Sequence, residues 1–368
     1  MYGEFQYMPV LRLKEEEKKI LRSFNFGKNI FPCVEIFKEY ERQTEKSLNK
    51  SFSETYIPLL ASINCSKVFV DLPVHLKPHN QMKKDVLDFV VKVLASRENR
   101  TAYMLQLSAL SDKIIPIIST YSQRTGELNS ILTQGSALRP KFQSLGFRTF
   151  EKTISSDIEQ IKKIAQSQDF LIVDLEENSA EPTDPYVIQA VMEAIEGFSN
   201  CKIVILGSAI PHNLSNTSLI HGEIIPRGDN RLLTNYTQLG GHGFGDYAGI
   251  KKDAITDGGG ISPGFIFYDP IQNAYYGYRG QKRGKGEKGN LADFENIIVP
   301  AVYNSATAAR MQDSDLPYLT TQNSGWTILA KIHLEDEPSR SQGKFKRISI
   351  EHYMHCMRVK IAAGQFNA

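Results

Sequence analysis

The feature that most limits how this chain can fold is an apolar run of strand length that stops abruptly on acid, Phe170-Leu-Ile-Val-Asp-Leu-Glu176. Three further stretches end the same way: Phe31-Pro-Cys-Val-Glu35, Lys67-Val-Phe-Val-Asp71 and Gly243-Phe-Gly-Asp246. Unbroken apolar runs mark strands buried on both faces, as in parallel sheets, so an acid at the C-terminal end has left the core and entered the mouth of the sheet. Ligands of parallel α/β folds bind at that end. The pattern predicts like-oriented strands that gather Glu35, Asp71, Asp174 and Asp246 at one opening.

Between these runs the periodicity switches repeatedly from strand to helix. Strands are expected at Phe5–Leu13, Phe31–Phe37, Lys67–Leu72, Lys113–Ser119, Gly146–Glu151, Phe170–Glu176, Lys202–Gly207 and Gly243–Gly249. Pro116 suggests an irregularity in the fourth. Helical stretches separate them, such as Met82–Leu94 with its Val86, Phe89, Val90 and Val93 stripe, and Pro185–Phe198 with Pro185 in the first turn. Eight rounds of strand and helix predict an α/β protein of the (β/α)8, TIM-barrel-like class, with an open doubly wound sheet as its rival.

The barrel should occupy residues 1–250, and residues 251–368 should add a β-hairpin and helices packed on it. The hairpin is expected over Phe265–Tyr278 with its turn near Asp269–Asn273, followed by helices at Leu291–Met311 and Arg347–Phe366. The polar, Asn-rich stretch Ser208–His242 is too long for an ordinary connection and reads as a functional loop.

With 368 residues, 41% of them hydrophobic, the chain can fill a large core. Its 43 basic and 41 acidic residues leave a net charge of only +2, which excludes a chain-wide polyelectrolyte surface for nucleic acid. Four scattered cysteines, no basic-then-apolar leader and no run of eighteen apolar residues predict a cytoplasmic protein without a membrane partner. No Walker motif is present.

The four rim acids are the candidate catalytic groups. Gathered at one opening, they could hold a divalent metal through oxygen, or act as an acid and base pair with pKa values separated by crowding. Structural ion pairing or helix capping would explain the same residues. Arg12 and Lys14 at the end of the first strand, Arg148 on the fifth, and Arg227 and Arg231 in the long loop are candidate phosphate or carboxylate clamps. His75 and His79 invite a metal reading, but Pro73 and Pro78 argue against one helix presenting both; His352 and His355 on the last helix have no obvious third ligand.

Gly284-Lys-Gly-Glu-Lys-Gly289 matches a dinucleotide fingerprint in letters only, since it follows a hairpin and not a core strand. Its surroundings, Arg279, Lys282 and Arg283 after Tyr275, Tyr276 and Tyr278, form the best local candidate for a nucleic-acid or nucleotide contact, against the plainer alternative of a solvated basic loop.

Taken in order, Tyr7-Met-Pro-Val-Leu-Arg-Leu-Lys14, Phe31-Pro-Cys-Val-Glu-Ile36, Asp71, Asp174, Ile225-Pro-Arg227, Arg231-Leu-Leu233, Phe244-Gly-Asp-Tyr247 and Tyr278-Arg-Gly280 resemble the beta family of phage and prophage proteins. The resemblance implies an intracellular protein of a phage, prophage or defence island. It also implies a protein partner from the same gop, beta and cII gene cassette, in which beta restrains a toxic companion. It carries no settled reaction and hence no catalytic residue. Two readings follow: a defence component that works by binding through the barrel mouth, or a metal-assisted phosphodiesterase or nuclease that uses the rim carboxylates.

Overall fold

The computed structural model describes residues 4–40, 50–120, 126–176, 185–196, 198, 201–252, 255, 262–282, 289–334 and 337–366. In chain order the strands are β1 (Tyr7–Arg12), β2 (Asn25–Gly27), β3 (Cys33–Glu35), β4 (Asn64–Cys65), β5 (Val68–Asp71), β6 (Ile114–Ser119), β7 (Gly146–Phe150), β8 (Phe170–Asp174), β9 (Lys202–Leu206), β10 (Glu223–Asp229), β11 (Gly243–Asp246), β12 (Gly264–Asp269) and β13 (Ala274–Arg279). Eight of them close into a barrel in the order β1-β11-β9-β8-β7-β6-β5-β3, and every pair is parallel. Closure removes the open-sheet alternative and leaves the barrel without an edge.

Apolar side chains fill the barrel from its N-terminal end. The rings of Phe5, Phe31, Phe69 and Phe170 plug that end, with Phe5–Phe31, Phe5–Phe170 and Phe69–Phe170 centroids 5.1, 5.3 and 5.0 Å apart. Above them Met8, Val10, Cys33, Ile115, Ile117, Ile172, Val204 and Leu206 complete an inner cluster, distinct from the larger core between the barrel and its helices. Only the C-terminal end of the barrel is left for polar groups.

The helices follow ordinary physical signals. Glu15, Glu16 and Glu17 open Glu15–Ser23, where carboxylates suit the positive end of the helix dipole. Ser51 and Glu54 form a capping box on Phe52–Ser62. The strand β6 runs straight through Pro116, which is in register with Val70, so the expected irregularity is absent.

Three expectations change. The stretch read as a long loop holds a short helical turn (Asn216–Ser218), β10 and the helix Arg231–Asn235. β10 pairs with β13, so the hairpin β12–β13 grows into a three-stranded antiparallel sheet, order β10-β13-β12. The single helix expected over Leu291–Met311 is broken into Phe294–Ile298, Val299–Tyr303 and Ala306–Gln312, and the Ser305 side chain caps the last piece. A two-stranded ribbon, β2 with β4, carried no sequence signal.

The C-terminal helix Gln342–Ala362 lies on the small sheet: Ser349 Oγ donates to the Ile266 carbonyl at 2.7 Å, and His352 Nε2 to the Tyr268 carbonyl at 2.8 Å. Gly325 lets the helix Ser324–Leu334 approach closely, since a Cβ there would come 2.4 Å from the Ile348 carbonyl oxygen. Towards the barrel, Lys346 pairs with Glu17 at 2.9 Å, and Phe366 packs its ring against Tyr7 and Phe244.

Candidate functional site

Alternation of side chains across the strands decides what enters the mouth. Arg12, Glu35 and Asp71 lie side by side, Arg12 in register with Glu35 and Glu35 with Asp71. Each sits two residues beyond a member of the inner cluster, Val10, Cys33 and Phe69, and so faces the same way. Asp174 follows Ile172 by the same rule. Asp246 does not: it shares its face with Phe244, which belongs to the outer core.

Arg148, fully buried on β7, is the hub. Its Nη1 donates to Glu35 Oε1 at 2.9 Å and Asp71 Oδ2 at 2.6 Å, its Nε and Nη2 to Asp174 Oδ2 at 3.1 and 2.6 Å, and Nη2 also to the Tyr247 hydroxyl at 2.9 Å. Arg12 Nε donates to Glu35 Oε2 at 2.9 Å. Lys252 Nζ stands 3.7 Å from Asp174 Oδ2 and over the Tyr247 ring, and His75 Nε2 lies 3.4 Å from Glu35 Oε1. Three acids therefore meet three permanent cations, and Glu35, Asp71, Asp174 and Arg148 are withdrawn from solvent.

Among the carboxylate oxygens and the Arg12 and Arg148 nitrogens, two buried atoms are unmatched. Both oxygens of Glu35 and of Asp174 have partners, Asp174 Oδ1 accepting from the Glu176 amide at 2.8 Å, as do all three guanidinium nitrogens of Arg148. Asp71 Oδ1 and Arg12 Nη1 have no hydrogen-bond partner among the described residues. One is an acceptor, the other a donor.

The electrostatics are asymmetric. Burial pushes every carboxyl up, but Arg12, Arg148 and Lys252 bring Glu35 below its ordinary pKa, and Lys252 and Arg148 do the same for Asp174. Asp71 shares Arg148 with both and has no cation of its own, so burial, reinforced by Glu35 and Asp174, raises it to about 6. Burial alone would weaken Arg148 as a base; Tyr247 and the three acids outweigh it and hold the guanidinium firmly charged. An acid that titrates near neutrality inside a charged cluster is suited to proton transfer.

The other sequence candidates lie elsewhere. The Asp246 carboxylate accepts from the Tyr7 hydroxyl at 2.6 Å, the Ala248 amide at 2.8 Å and the Tyr353 hydroxyl of the C-terminal helix, so it ties that helix to the barrel wall instead of joining the rim acids. Lys14 stands at the N-cap of Glu15–Ser23. Arg231 opens its short helix on the surface, Arg279 Nη1 donates to the Thr217 carbonyl at 3.1 Å beside the small sheet, and Lys282 is exposed just beyond β13. Arg283, the glycine-rich stretch at 284–288 and the Arg227 side chain lie outside the described residues. Tyr275 and Tyr278 are buried in the core, leaving Tyr276 as the half-buried ring of that hairpin.

Sequence reasoning missed Lys252 and Tyr247, and found His75 for a different grouping. Of these only Tyr247 had a readable signal, its two-residue spacing from Gly245 on a strand whose neighbours Met8 and Leu206 face inward. Glu35, Asp71 and His75 each offer a ligand atom within 4.8 Å of the others, a set that suits a divalent cation. His79 is not part of it. Glu35 Oε1 and Asp71 Oδ2 already accept from Arg148 Nη1, whereas Asp71 Oδ1 carries no such bond.

Sequence comparison matches the family described as Beta protein across residues 7–358, nearly the whole chain. The chain belongs to the Beta protein family. A comparison with curated proteins finds no match. Among solved structures this family member is similar to an aldolase-like N-terminal domain from Bacteroides vulgatus, with 12% identity, a TM-score of 0.38, and coverage of 67% of this chain and 74% of that one. No helix among the described residues is long and apolar enough to cross a membrane.

Proposed function

We propose that the protein works by binding, and that the barrel mouth takes a small phosphorylated ligand as part of a defence role in which the chain restrains a toxic companion from its own gene cassette. The observation that carries the binding half is the unmatched pair, Asp71 Oδ1 and Arg12 Nη1, in a cluster where Glu35, Asp174 and Arg148 have every polar atom bonded. Leaving a buried polar atom without a partner costs about 1–3 kcal/mol, more if it is charged, so the arrangement favours a ligand that supplies both bonds. A singly protonated phosphate ester presents an acceptor for Arg12 and a hydroxyl donor for Asp71. Lys252, close to the cluster, adds the cation such a group needs.

The family assignment supports the cassette role, and the test joins the two halves. Arg12→Gln keeps a polar side chain at the mouth and leaves Arg148 in place. It should weaken binding of inorganic phosphate and simple phosphate monoesters about tenfold or more by calorimetry, and abolish phage protection in cells that carry the cassette. Unchanged binding together with full protection would sink the proposal.

A second reading, metal-assisted phosphodiester hydrolysis, is favoured by the Glu35, Asp71 and His75 set. Manganese or magnesium titrated into the protein should then bind, and hydrolysis of a chromogenic phosphodiester should vanish in Asp71→Asn while the fold survives. Absence of metal binding and of hydrolysis in the unaltered protein would remove it.

A further inference from the structure

A second ligand site is built away from the mouth, where β13 faces the broken helix. A cavity of ≈ 330 Å³ lies between them, lined by His221, Tyr276, Tyr278, Ser305, Thr307 and Arg310. That volume is at the lower end for small-molecule pockets, about 300–1,000 Å³, and suits one mononucleotide but not a strand.

Its polar centre is a guanidinium fixed in advance. Arg310 Nε and Nη2 donate to Asp269 Oδ2 at 2.9 and 2.7 Å, and Nη2 also reaches the Tyr276 hydroxyl and Thr307 Oγ1, each at 3.1 Å. Asp269 is itself buried, and its other oxygen is held by the amides of Ile271 and Gln272 in the hairpin turn. The Tyr276 ring lies 5.7 Å from the Arg310 carbon. None of these bonds uses Arg310 Nη1, and the Arg310 side chain is 31% exposed.

The remaining walls are aromatic and hydroxylic. His221 packs edge-on against Tyr278 with centroids 5.5 Å apart, its Nδ1 held against the Arg279 backbone, and Tyr278 faces the Ser305 and Thr307 side chains. Arg279 ends the same strand, and its backbone holds the His221 ring in place. A rigid arginine with one free edge recognises a phosphate, and the His and Tyr rings offer flat surfaces to a base.

We infer that the cavity between β13 and the helix Ala306–Gln312 is a nucleoside monophosphate site, with Arg310 on the phosphate and His221 and Tyr276 against the base. It is independent of the mouth.

Calorimetric titration of the full chain with the four ribonucleoside monophosphates, and with inorganic phosphate, tests it. At least one mononucleotide should bind more tightly than inorganic phosphate. Arg310→Lys should weaken that binding about tenfold. His221→Ala, which removes no buried ion pair, should weaken it several-fold with the melting temperature unchanged. Arg12→Gln, which alters only the mouth, should weaken the binding of inorganic phosphate there but leave this tighter mononucleotide binding intact. The site is overturned if no mononucleotide binds at about 1 mM, if both His221→Ala and Arg310→Lys bind as the unaltered chain does, or if Arg12→Gln abolishes the binding.

Discussion

At the scale of single residues, Arg148 decides whether the barrel mouth is stable. Three carboxylates from three strands and the Tyr247 hydroxyl all bond to this one guanidinium. Replacing it with Met would fill much of the space but leave buried acids short of a cation, which costs about 3–5 kcal/mol when a buried pair is broken. The sign of the pH dependence follows. Glu35 and Asp174 have depressed pKa values in the folded chain, so their contribution is present above the unfolded carboxyl range and is lost as pH falls through their folded values. Without Arg148 those values rise, and the acids can be neutralised by protons instead. Urea unfolding should therefore show Arg148→Met far less stable at pH 7, with the gap closing towards pH 4. A gap that stays constant would mean that lost packing, not lost charge, explains the effect. Most of this hub was legible in the sequence: Glu35, Asp71 and Asp174 end apolar runs in phase with inward residues. Asp246 ends a run too, but one residue out of phase, and a one-residue change sends a side chain to the other face. Run length cannot reveal that phase; strand register can.

At the scale of elements, the barrel strands were readable because a doubly buried strand leaves an apolar run, whereas β10 was not, because Ile225 is its one buried apolar residue and the strand pairs at the edge of a small sheet. The helix break before Ala306 was similarly hidden, since Ala306–Gln312 is built of good helix formers and the Ser305 cap marks its start. The C-terminal helix is the opposite case: it was expected over Arg347–Phe366 and begins five residues earlier, and every position from Ile348 to Met357 is buried, polar ones included. It is held by specific bonds, above all from the Tyr353 hydroxyl, which donates to Asp246 and accepts from Asn230 Nδ2 at 2.8 Å. Burial raises Asp246 to about 6, with the Tyr353, Tyr7 and Ala248 donors pulling the other way. Because the folded pKa lies above the unfolded one, the stability that Asp246 contributes is full below the unfolded value and is lost as pH rises through about 6. Above that point the ionised carboxylate depends most on its donors. Tyr353→Phe should thus cost about 1 kcal/mol at pH 4 and about 2–3 kcal/mol at pH 8, with faster amide exchange along Gln342–Ala362. An equal cost at both pH values would show that the Tyr353–Asp246 bond is not what fastens the helix.

At the scale of the whole molecule, the near-zero net charge concealed two concentrated charge systems, the balanced mouth and the Arg310–Asp269 pair, since composition averages over position. The same averaging hides how the two sheets depend on each other. β10 lies between β9 and β11 in the chain yet completes the small sheet, so that sheet cannot assemble without chain that also spans two barrel strands. In return the wall around β1 and β11 is covered from the C-terminal side, by Tyr353 on Asp246 and by Phe366 against Tyr7, Tyr236 and Phe244. The large outer core runs without interruption from the barrel helices to the C-terminal helix. Shared burial of this kind couples unfolding, because neither part keeps its apolar surface covered when the other opens. The full chain should accordingly melt in one calorimetric transition whose measured and van't Hoff enthalpies agree, despite its length. A chain ending at residue 312 should expose the Tyr7 and Phe244 rings, lose that transition and aggregate. Two resolved transitions in the full chain, or a truncated chain that melts at the same temperature as the full one, would instead mean that the barrel stands alone and that the C-terminal layer is an attachment to it.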